Sequence, residues 1–280
     1  MAEIIGLKMK ISIVSPAYNA EKFIMRVFNN LQPLLGTYIH KWIIVDDCSI
    51  DETEKIISKL ALQHESVEYL RLEKNSGPAE ARYKGIEKVK TDIFMFFDID
   101  DYLYTENFVK FNEFIASNRN VDFWYAPLEH ISDYNKIDKN KIFRVEKIHK
   151  INKSTDFILY GFPQPSSLAM TKEFALNVMD TKGISWGEDI YMYLRAINQG
   201  QGLRWEKAIS CYIVNGEGRG SLLRLRGRIE LILYLFKLVF REKIKISNII
   251  FLGYISLRTI ASYLYKKTFL YFKKRKKLFQ

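Results

Sequence analysis

A run of apolar residues in the first half of the chain leads directly into a cluster of carboxylates. The stretch IFMFFDIDDYLY (93–104) places Asp98, Asp100 and Asp101 immediately after five consecutive apolar residues. Carboxylates this close repel each other, and burying them is unfavourable unless a cation or a hydrogen-bond donor compensates their charge. A helix N-terminus would use one carboxylate as a cap and leave two unexplained. The cluster is therefore a candidate metal site, and its carboxylate oxygens would suit Mg²⁺ or Mn²⁺; the other motifs have to decide between a cap and a metal site.

Three further polar stretches follow predicted strands, and each has a structural explanation when it is taken alone. SPAYN (15–19) is typical of a turn. NSGPAEARYKG (75–85) is typical of a loop that enters a helix, with a proline in the first turn. In VDDCSID (45–51), Ser49 and Asp51 are predicted to cap the next helix. Together with the carboxylate cluster, these three stretches place polar groups at four successive strand ends. A structural core does not need them, so we interpret them as one site.

The elements that must position these groups alternate between strand and helix. The predicted strands are KISIVS (10–15), KWIIVDD (41–47), VEYLRL (67–72) and DIFMFFD (92–98). The first two helical patterns have one apolar face each, formed by Phe23, Val27, Phe28 and Leu31, and by Ile56, Ile57, Leu60 and Leu62. This alternation predicts an α/β fold with a mostly parallel sheet covered by helices on both faces. In such sheets ligands bind beyond the carboxyl ends of the strands.

The second half of the chain is less regular. The apolar run 121–131 is predicted to be a strand, and the lysine-rich run 132–152 an exposed loop or an edge hairpin. A short strand is predicted over 167–170. WGED (186–189) leads into a helix that ends at Gly200 and turns three residues inward, Ile190, Leu194 and Ile197. The two carboxylates of WGED could serve only to complement the dipole of that helix.

The five motifs in this order, SPAYN, VDDCSID, NSGPAEARYKG, FFDIDD and WGED, resemble those of the family-2 glycosyltransferases with the GT-A fold. The resemblance covers about the first 215 residues, and the order of the motifs makes it far more specific than a lone D-x-D. It implies a GT-A (Rossmann-like) sheet. It also implies inverting, metal-assisted transfer from a UDP-sugar to a hydroxyl acceptor.

The resemblance also assigns roles to individual residues. Asp98 and Asp100 would bind the ribose and, through the metal, the diphosphate, with Asp100 the first choice of metal ligand and Asp101 the second. Asp189 would be the catalytic base and Glu188 an acceptor-binding neighbour. Further residues are assigned to the nucleobase (Pro16, Ala17, Tyr18 and Asn19, with Asp46 or Asp47 accepting the uracil N–H), to the diphosphate (Gly77, Arg82 and Arg219) and to the acceptor pocket (Trp186 and Gly187). For Arg82, an exposed surface position is an equal alternative.

The positive charge of the chain is concentrated at its C-terminal end. The formal net charge is +11, but residues 219–280 contain sixteen Lys or Arg against two Glu, so the rest of the chain carries −3. The charge therefore does not indicate a nucleic-acid-binding body. Two distant cysteines give no disulfide framework, and no signal peptide is recognised at the start. We expect a cytoplasmic catalytic domain over 1–221 and a helical appendage over 222–280.

The appendage combines apolar helical faces with the polybasic cluster 273–277. This combination is typical of helices that lie on an anionic membrane surface, here the inner face of the cell membrane. Arg258 and scattered hydroxyl residues argue against a true span. The alternative is a helical hairpin packed on the catalytic domain.

Two other functions remain open at this stage. A nucleotidyltransferase also joins a parallel sheet to metal-binding carboxylates, but it needs a glycine- and basic-rich loop after the first strand, which SPAYNAEKF is not. A nucleotide-sugar-binding or membrane scaffold protein without turnover would not need both Asp100 and Asp189. We therefore expect a glycosyltransferase whose acceptor is a lipid-linked or growing cell-surface glycan.

Overall fold

The computed structural model describes residues 9–142, 147–179 and 188–213, and a few positions between 233 and 257. Its strands are β1 Ile11–Ala17, β2 Ile39–Asp46, β3 Val67–Arg71, β4 Ile93–Phe96, β5 Tyr102–Leu103, β6 Phe123–Tyr125, β7 Leu128–Ile131, β8 Ile148–Ile151, β9 Leu168–Thr171, β10 Gly202–Trp205 and β11 Ser210–Ile213. Its helices are α1 Glu21–Leu31, α2 Thr53–Gln63, α3 Pro78–Lys88, α4 Thr105–Ser117, α5 Ser154–Tyr160, α6 Lys172–Val178 and α7 Glu188–Gln199. Short 3₁₀ turns span Gln32–Leu34, Tyr134–Lys136 and Pro165–Ser167.

The main sheet has eight strands in the order β3-β2-β1-β4-β9-β6-β10-β8. The first four strands of the chain run parallel to one another, as the alternating pattern predicts. Successive residues of β1 are buried on opposite faces: Ile13 belongs to one apolar core and Val14 to the other. Burial on both faces explains why these strands read as continuous apolar runs. The predicted α/β sheet covered by helices is confirmed.

Helix α3 lies against β1 and β2 at a very short distance. A Cβ atom placed on Gly85 would lie 2.3 Å from Cγ1 of Val14 and 3.2 Å from Cγ2 of Val45. Only glycine allows this approach without a shift of the helix. The close packing fixes the N-terminus of α3 next to the carboxyl ends of the strands, where Gly77 precedes the helix with a φ of +89°.

The second half departs from a purely parallel sheet. β9 lies between β4 and β6 and is antiparallel to both. The predicted single strand over 121–131 is wrong: β6 joins the main sheet, whereas β7 joins a second sheet with the order β5-β11-β7. Pro127 stands between them, and because it has no N–H it cannot continue a ladder. β8 is an edge strand, but its partner is β10 rather than a hairpin neighbour from 132–152.

Two smaller predictions are also corrected. Leu62 does not join the apolar face of α2, since its side chain is 89% exposed, whereas Ile57 and Leu60 are buried. Ser49 does not cap that helix, because its Oγ accepts the backbone N–H of Asn19 at 2.9 Å. Asp51 does act at the helix start, where its Oδ1 accepts the Thr53 N–H at 3.0 Å.

One described position of the predicted appendage packs on the first part of the chain. Phe251 is fully buried, and its ring centroid lies 6.2 Å from that of Phe157 on α5 and 5.4 Å from that of Phe162. The neighbouring side chains of Ile250 and Tyr254, by contrast, are exposed. Among the described residues, none of the helices is both long and apolar enough to cross a membrane. Most of 222–280 lies outside the described residues, so the proposed division into 1–221 and 222–280 stays a prediction.

Candidate active site

Hydrogen bonds from polar side chains join the loops that follow β1 and β2. Pro16 and Ala17 close β1, and Tyr18 follows them. Asn19 adopts a left-handed backbone with φ of 50°, which asparagine tolerates well, and its Oδ1 accepts the Ile50 N–H at 3.0 Å. With the bond to Ser49, this fixes the two strand-end loops against each other. The prediction of a turn is therefore only partly right: Ser15, Pro16 and Ala17 complete β1, and only Tyr18 and Asn19 leave the strand at the edge of the sheet.

Asp46 ends β2 and Asp47 follows it, and their carboxylates accept hydrogen bonds from different parts of the chain. Asp46 is fully buried, and its carboxylate accepts hydrogen bonds from the Ser49 N–H at 2.9 Å and from Arg71 Nη1 at 2.9 Å. Asp47 accepts the N–H groups of Ser76 at 2.6 Å and Gly77 at 2.8 Å. Asp47 thus anchors the loop that enters α3. The role of either residue in binding a nucleobase stays a prediction.

The acidic turn, residues 98–101, follows the carboxyl end of β4. The backbone N–H of Asp98 donates to Ser166 Oγ at 2.9 Å, and the Asp98 carboxylate accepts a bond from Arg82 Nη2 at 2.8 Å. Asp101 is 3% exposed, and its Oδ1 has no hydrogen-bond partner within the described part of the chain. Three carboxylates thus crowd one turn, and among the described residues only that of Asp98 forms an ion pair.

Burial and repulsion act together on the pKa values of this turn. Burial, followed by the negative charge of Asp98, raises the pKa of Asp100 above its ordinary value. The same two causes raise the pKa of Asp101 well above its ordinary value, although a hydrogen bond with Ser166 opposes them. Both carboxylates are therefore held in surroundings that disfavour their charged form, and a bound cation would reverse this.

The turn suits a divalent cation that shares its coordination with a ligand. Asp100 and Asp101 supply hard oxygen atoms, and Oδ1 of Asp101 is a buried acceptor that has no partner among the described residues. In the described ranges, no three His, Cys, Asp or Glu side chains converge closely enough to hold a metal by themselves. Phosphate oxygens and waters would have to complete the shell, as Mg²⁺ sites in phosphoryl enzymes commonly require.

Arg82 is not an exposed surface residue, so that alternative is wrong. Its side chain lies in the interior, with the residue 8% exposed, and pairs with Asp98. The guanidinium carbon also lies 5.9 Å from the ring centroid of Phe96. A buried cation beside the acidic turn, one helical turn after Gly77, is placed where an anionic ligand at this edge would meet it.

Asp189 lies in the first turn of α7, and the structure brings it to the same place. It is partly buried, and its Oδ1 accepts the N–H of Ile190 at 2.8 Å. Burial raises the pKa of Asp189, the positive charge of Arg82 lowers it and the charge of Asp98 raises it. Asp189 therefore shares its electrostatic surroundings with the acidic turn. Trp186, Gly187, Arg219 and the side chain of Glu188 lie outside the described residues.

Three residues of the site were missed in the sequence. Ser166 accepts the Asp98 N–H, and its own carbonyl oxygen accepts a bond from Ser210 Oγ at 2.6 Å. Arg71 joins Asp46 to Glu54 and to the carbonyl oxygen of Ser49. Arg26 donates to the carbonyl oxygen of Asp100. None of these residues stands in a strand-end motif, so only the fold brings them to the site.

The family of the chain follows from comparison with known proteins. Residues 12–177 match the model of glycosyl transferase family 2, which is more than half of the chain. The chain belongs to this family. The match includes the strand-end motifs through FFDIDD and ends before WGED.

Two curated relatives are transferases named for poly(ribitol phosphate). The chain is 35% identical over 101 residues to a poly(ribitol-phosphate) beta-N-acetylglucosaminyltransferase, TarS, of Staphylococcus aureus, which covers 35% of this chain and 17% of TarS. It is 32% identical over 113 residues to a poly(ribitol-phosphate) beta-glucosyltransferase of Bacillus spizizenii, covering 40% of this chain and 18% of that protein. The chain therefore spans less than a fifth of the length of either relative.

Solved structures share the fold. The structure of S. aureus TarS residues 1–349 in complex with UDP-GlcNAc superposes with a TM-score of 0.67 at 18% identity, covering 90% of this chain and 72% of that chain. A mannosyltransferase of Pyrobaculum calidifontis in complex with GDP-Man and Mn²⁺ superposes with a TM-score of 0.58 at 13% identity, covering 90% and 74%. The predicted GT-A fold is confirmed.

Proposed function

We propose that this chain transfers a sugar from a UDP-sugar to a hydroxyl acceptor, with inversion, and that it needs Mg²⁺ or Mn²⁺ to do so. The observation that carries the proposal is the acidic turn at the carboxyl end of β4, in which Asp101 is buried and one of its oxygens has no partner among the described residues. Membership of glycosyl transferase family 2 supports the class of reaction. The complexes of TarS with UDP and with UDP-GlcNAc support the choice of nucleotide.

The site divides into a nucleoside side and a diphosphate side. The strand-end residues 16–19 would surround the uracil, and Asp46 or Asp47 would accept its N–H. Asp98 would bind the ribose, and Asp100 and Asp101 would hold the cation beside the diphosphate. That cation would neutralise charge on the departing diphosphate as the glycosidic bond breaks. Arg82 adds a second positive charge close to the same turn.

Asp189 is proposed as the general base. It would take the proton of the acceptor hydroxyl while that oxygen attacks the anomeric carbon and UDP leaves from the opposite face, which inverts the configuration. Burial raises the pKa of Asp189, and a stronger base than a surface aspartate suits this role. Glu188, Trp186 and Gly187, which precede it, would bind the acceptor.

A lipid-linked or growing cell-surface glycan is the proposed acceptor class. The two relatives described above are named for sugar transfer to poly(ribitol phosphate). The basic appendage supports a position on the inner face of the cell membrane, where anionic lipid would attract it. The body of the chain carries −3 and would not bind there by charge alone.

UDP release from a panel of nucleotide sugars tests the proposal. The purified chain is incubated with UDP-, GDP- and CMP-sugars, with Mn²⁺, with Mg²⁺ or with EDTA, and the free nucleotide is measured. We expect release from at least one UDP-sugar, only with metal, and no release by Asp189→Asn above background. Binding of UDP-sugars without any turnover, in the presence of cell-envelope extracts as acceptor, would instead support a binding protein.

A further inference from the structure

Two side chains of helix α1 form hydrogen bonds with the backbone on both sides of Asp101. Arg26 Nη2 donates to the carbonyl oxygen of Asp100 at 2.6 Å. Asn30 donates from Nδ2 to the carbonyl oxygen of Leu103 at 2.9 Å and accepts the Leu103 N–H on Oδ1 at 2.8 Å. Asn30 stands four positions after Arg26, so both project from the same face of the helix. We call this pair the α1 clamp.

The guanidinium of Arg26 is held in place by aromatic rings. Its carbon lies 4.7 Å from the ring centroid of Tyr134 and 5.1 Å from that of Phe23. Within the described residues, Arg26 makes no ion pair with a carboxylate, although its charge lies close enough to lower the pKa values of Asp100 and Asp101. Its Nη2 donates to a backbone carbonyl oxygen, so the hydrogen bond leaves the carboxylates of Asp100 and Asp101 unpaired with Arg26.

In this arrangement, the residues that orient the acidic turn are different from the carboxylates that would coordinate the cation. The clamp fixes the chain before and after Asp101, and Ser166 holds the N–H of Asp98 from a different element. The carboxylates of Asp100 and Asp101 stay available, and the buried Oδ1 of Asp101 remains without a partner among the described residues. Groups that orient metal ligands without touching the metal commonly control how tightly it binds.

We propose that Arg26 and Asn30 are positioning residues that hold the acidic turn in the orientation that binds the divalent cation. The inference rests on the proposed function, because it assumes a metal shared with UDP. A purely electrostatic role for Arg26 makes the opposite prediction. A cation near the site repels the metal, so its removal would tighten metal binding. Loss of positioning would weaken it.

The test compares clamp variants with matched variants of the same helix. Arg26→Met is paired with Lys22→Met, and Asn30→Ala is paired with Asn29→Ala, because Lys22 and Asn29 are exposed on α1. Arg26→Lys keeps the charge but loses the planar fork. Affinity for Mn²⁺ is measured by calorimetry in the presence of saturating UDP, and thermal unfolding is measured in EDTA to account for any loss of stability.

We expect Mn²⁺ affinity to fall about ten-fold or more in Arg26→Met and in Asn30→Ala, to fall less in Arg26→Lys, and to be unchanged in both controls. At saturating Mn²⁺ the clamp variants should bind UDP nearly as the parent does. Unchanged or tighter Mn²⁺ binding in both clamp variants would overturn the clamp while leaving the proposed function intact. A parent chain that binds no Mn²⁺ with UDP would overturn both.

Discussion

Asp101 combines two properties that are costly together: its carboxylate is almost fully buried, and one oxygen has no partner within the described part of the chain. Without metal, this carboxylate destabilises the folded state, because burial and the charge of Asp98 both disfavour its charged form. A cation that arrives with a ligand would supply the partner that this oxygen lacks.

Asp101→Asn should therefore stabilise the metal-free protein. An amide of the same shape removes the buried charge, and a gain of about 1 kcal/mol would raise the melting temperature by about 2–4 °C for a chain of this size. Thermal unfolding in EDTA near neutral pH measures it. Asp92→Asn is the control, because Asp92 is an exposed partner of Arg119. A melting temperature lowered by the Asp101 change would show that this carboxylate already has a stabilising partner.

Asp189→Asn should separate chemistry from donor binding. A general base acts on the acceptor proton in the transition state, so its loss lowers turnover by about 10²–10⁴-fold and leaves the affinity for UDP-sugar nearly unchanged. Transfer to a cell-envelope acceptor and calorimetric donor binding are measured side by side. Glu173→Gln, which changes an exposed carboxylate of α6, serves as the control. Parent-like transfer by Asp189→Asn would mean that another group accepts the proton.

At the scale of elements, the first four strands were predictable because each is a continuous apolar run with helical periodicity between them. Such local patterns report burial on both faces directly. The second sheet was not predictable, since β5, β7 and β11 are two to four residues long and their partners lie far apart in the chain. The predicted single strand over 121–131 failed for the same reason: pairing with distant strands divides it.

The residues of the site also divide into those that the sequence predicts and those that only the fold reveals. Asp46, Asp98 and Asp189 stand in motifs whose order indicates their role, whereas Ser166 and Arg26 have no local signal at all. Ser166 reaches the acidic turn because β9 lies beside β4, and Arg26 reaches it because α1 packs near β5. Side chains that position a site through the backbone depend on topology, which the local pattern does not specify.

The second sheet carries a pH-dependent contact that can be tested. Burial alone would raise the pKa of Glu129, but hydrogen bonds from Lys141 and from the Tyr104 hydroxyl, both at 2.5 Å, lower it below its ordinary value of 4.5. A lowered pKa in the folded state gives stability that is present above the unfolded pKa and is lost as the pH falls through the folded pKa.

Glu129→Gln should therefore lower the melting temperature near neutral pH and reduce its decline on acidification below about pH 4.5. Thermal unfolding of parent and variant between neutral pH and about pH 3 measures both effects. Glu68→Gln, a partly exposed residue of β3 in the main sheet, is the control. Parallel curves for parent and Glu129→Gln across the whole range would contradict a stabilising role for this carboxylate.

At the scale of the whole molecule, two observations bear on where the appendage lies. Phe251 is buried against Phe157 and Phe162, which favours packing of that part of the appendage on the catalytic domain. Ile250 and Leu257, which lie at helical positions around it, are exposed. Packing on the domain and attachment to a membrane are therefore compatible, because different faces of the appendage would serve each.

Deleting residues 268–280 should weaken binding to anionic vesicles and make the remainder less sensitive to salt. The cluster 273–277 would contribute on the order of 1 kcal/mol per basic residue near such a surface, and the apolar faces predicted for the appendage would still contribute after the deletion. Truncation before Leu222 should abolish binding, at some loss of stability where Phe251 packs. Vesicle flotation at low and high salt compares the three chains. Equal flotation of the full chain and the Leu222 truncation would leave only the packed hairpin.

The central claim is that the acidic turn binds a divalent cation together with UDP. Calorimetric titration of the full chain with UDP, once with Mn²⁺ and once with EDTA, tests it most directly, and Asp101→Asn is titrated in parallel. The account predicts UDP binding that depends on Mn²⁺ in the parent and is lost or greatly weakened in the variant. Equal UDP affinity with Mn²⁺ and with EDTA in the parent, or metal-dependent binding unchanged in Asp101→Asn, would contradict it.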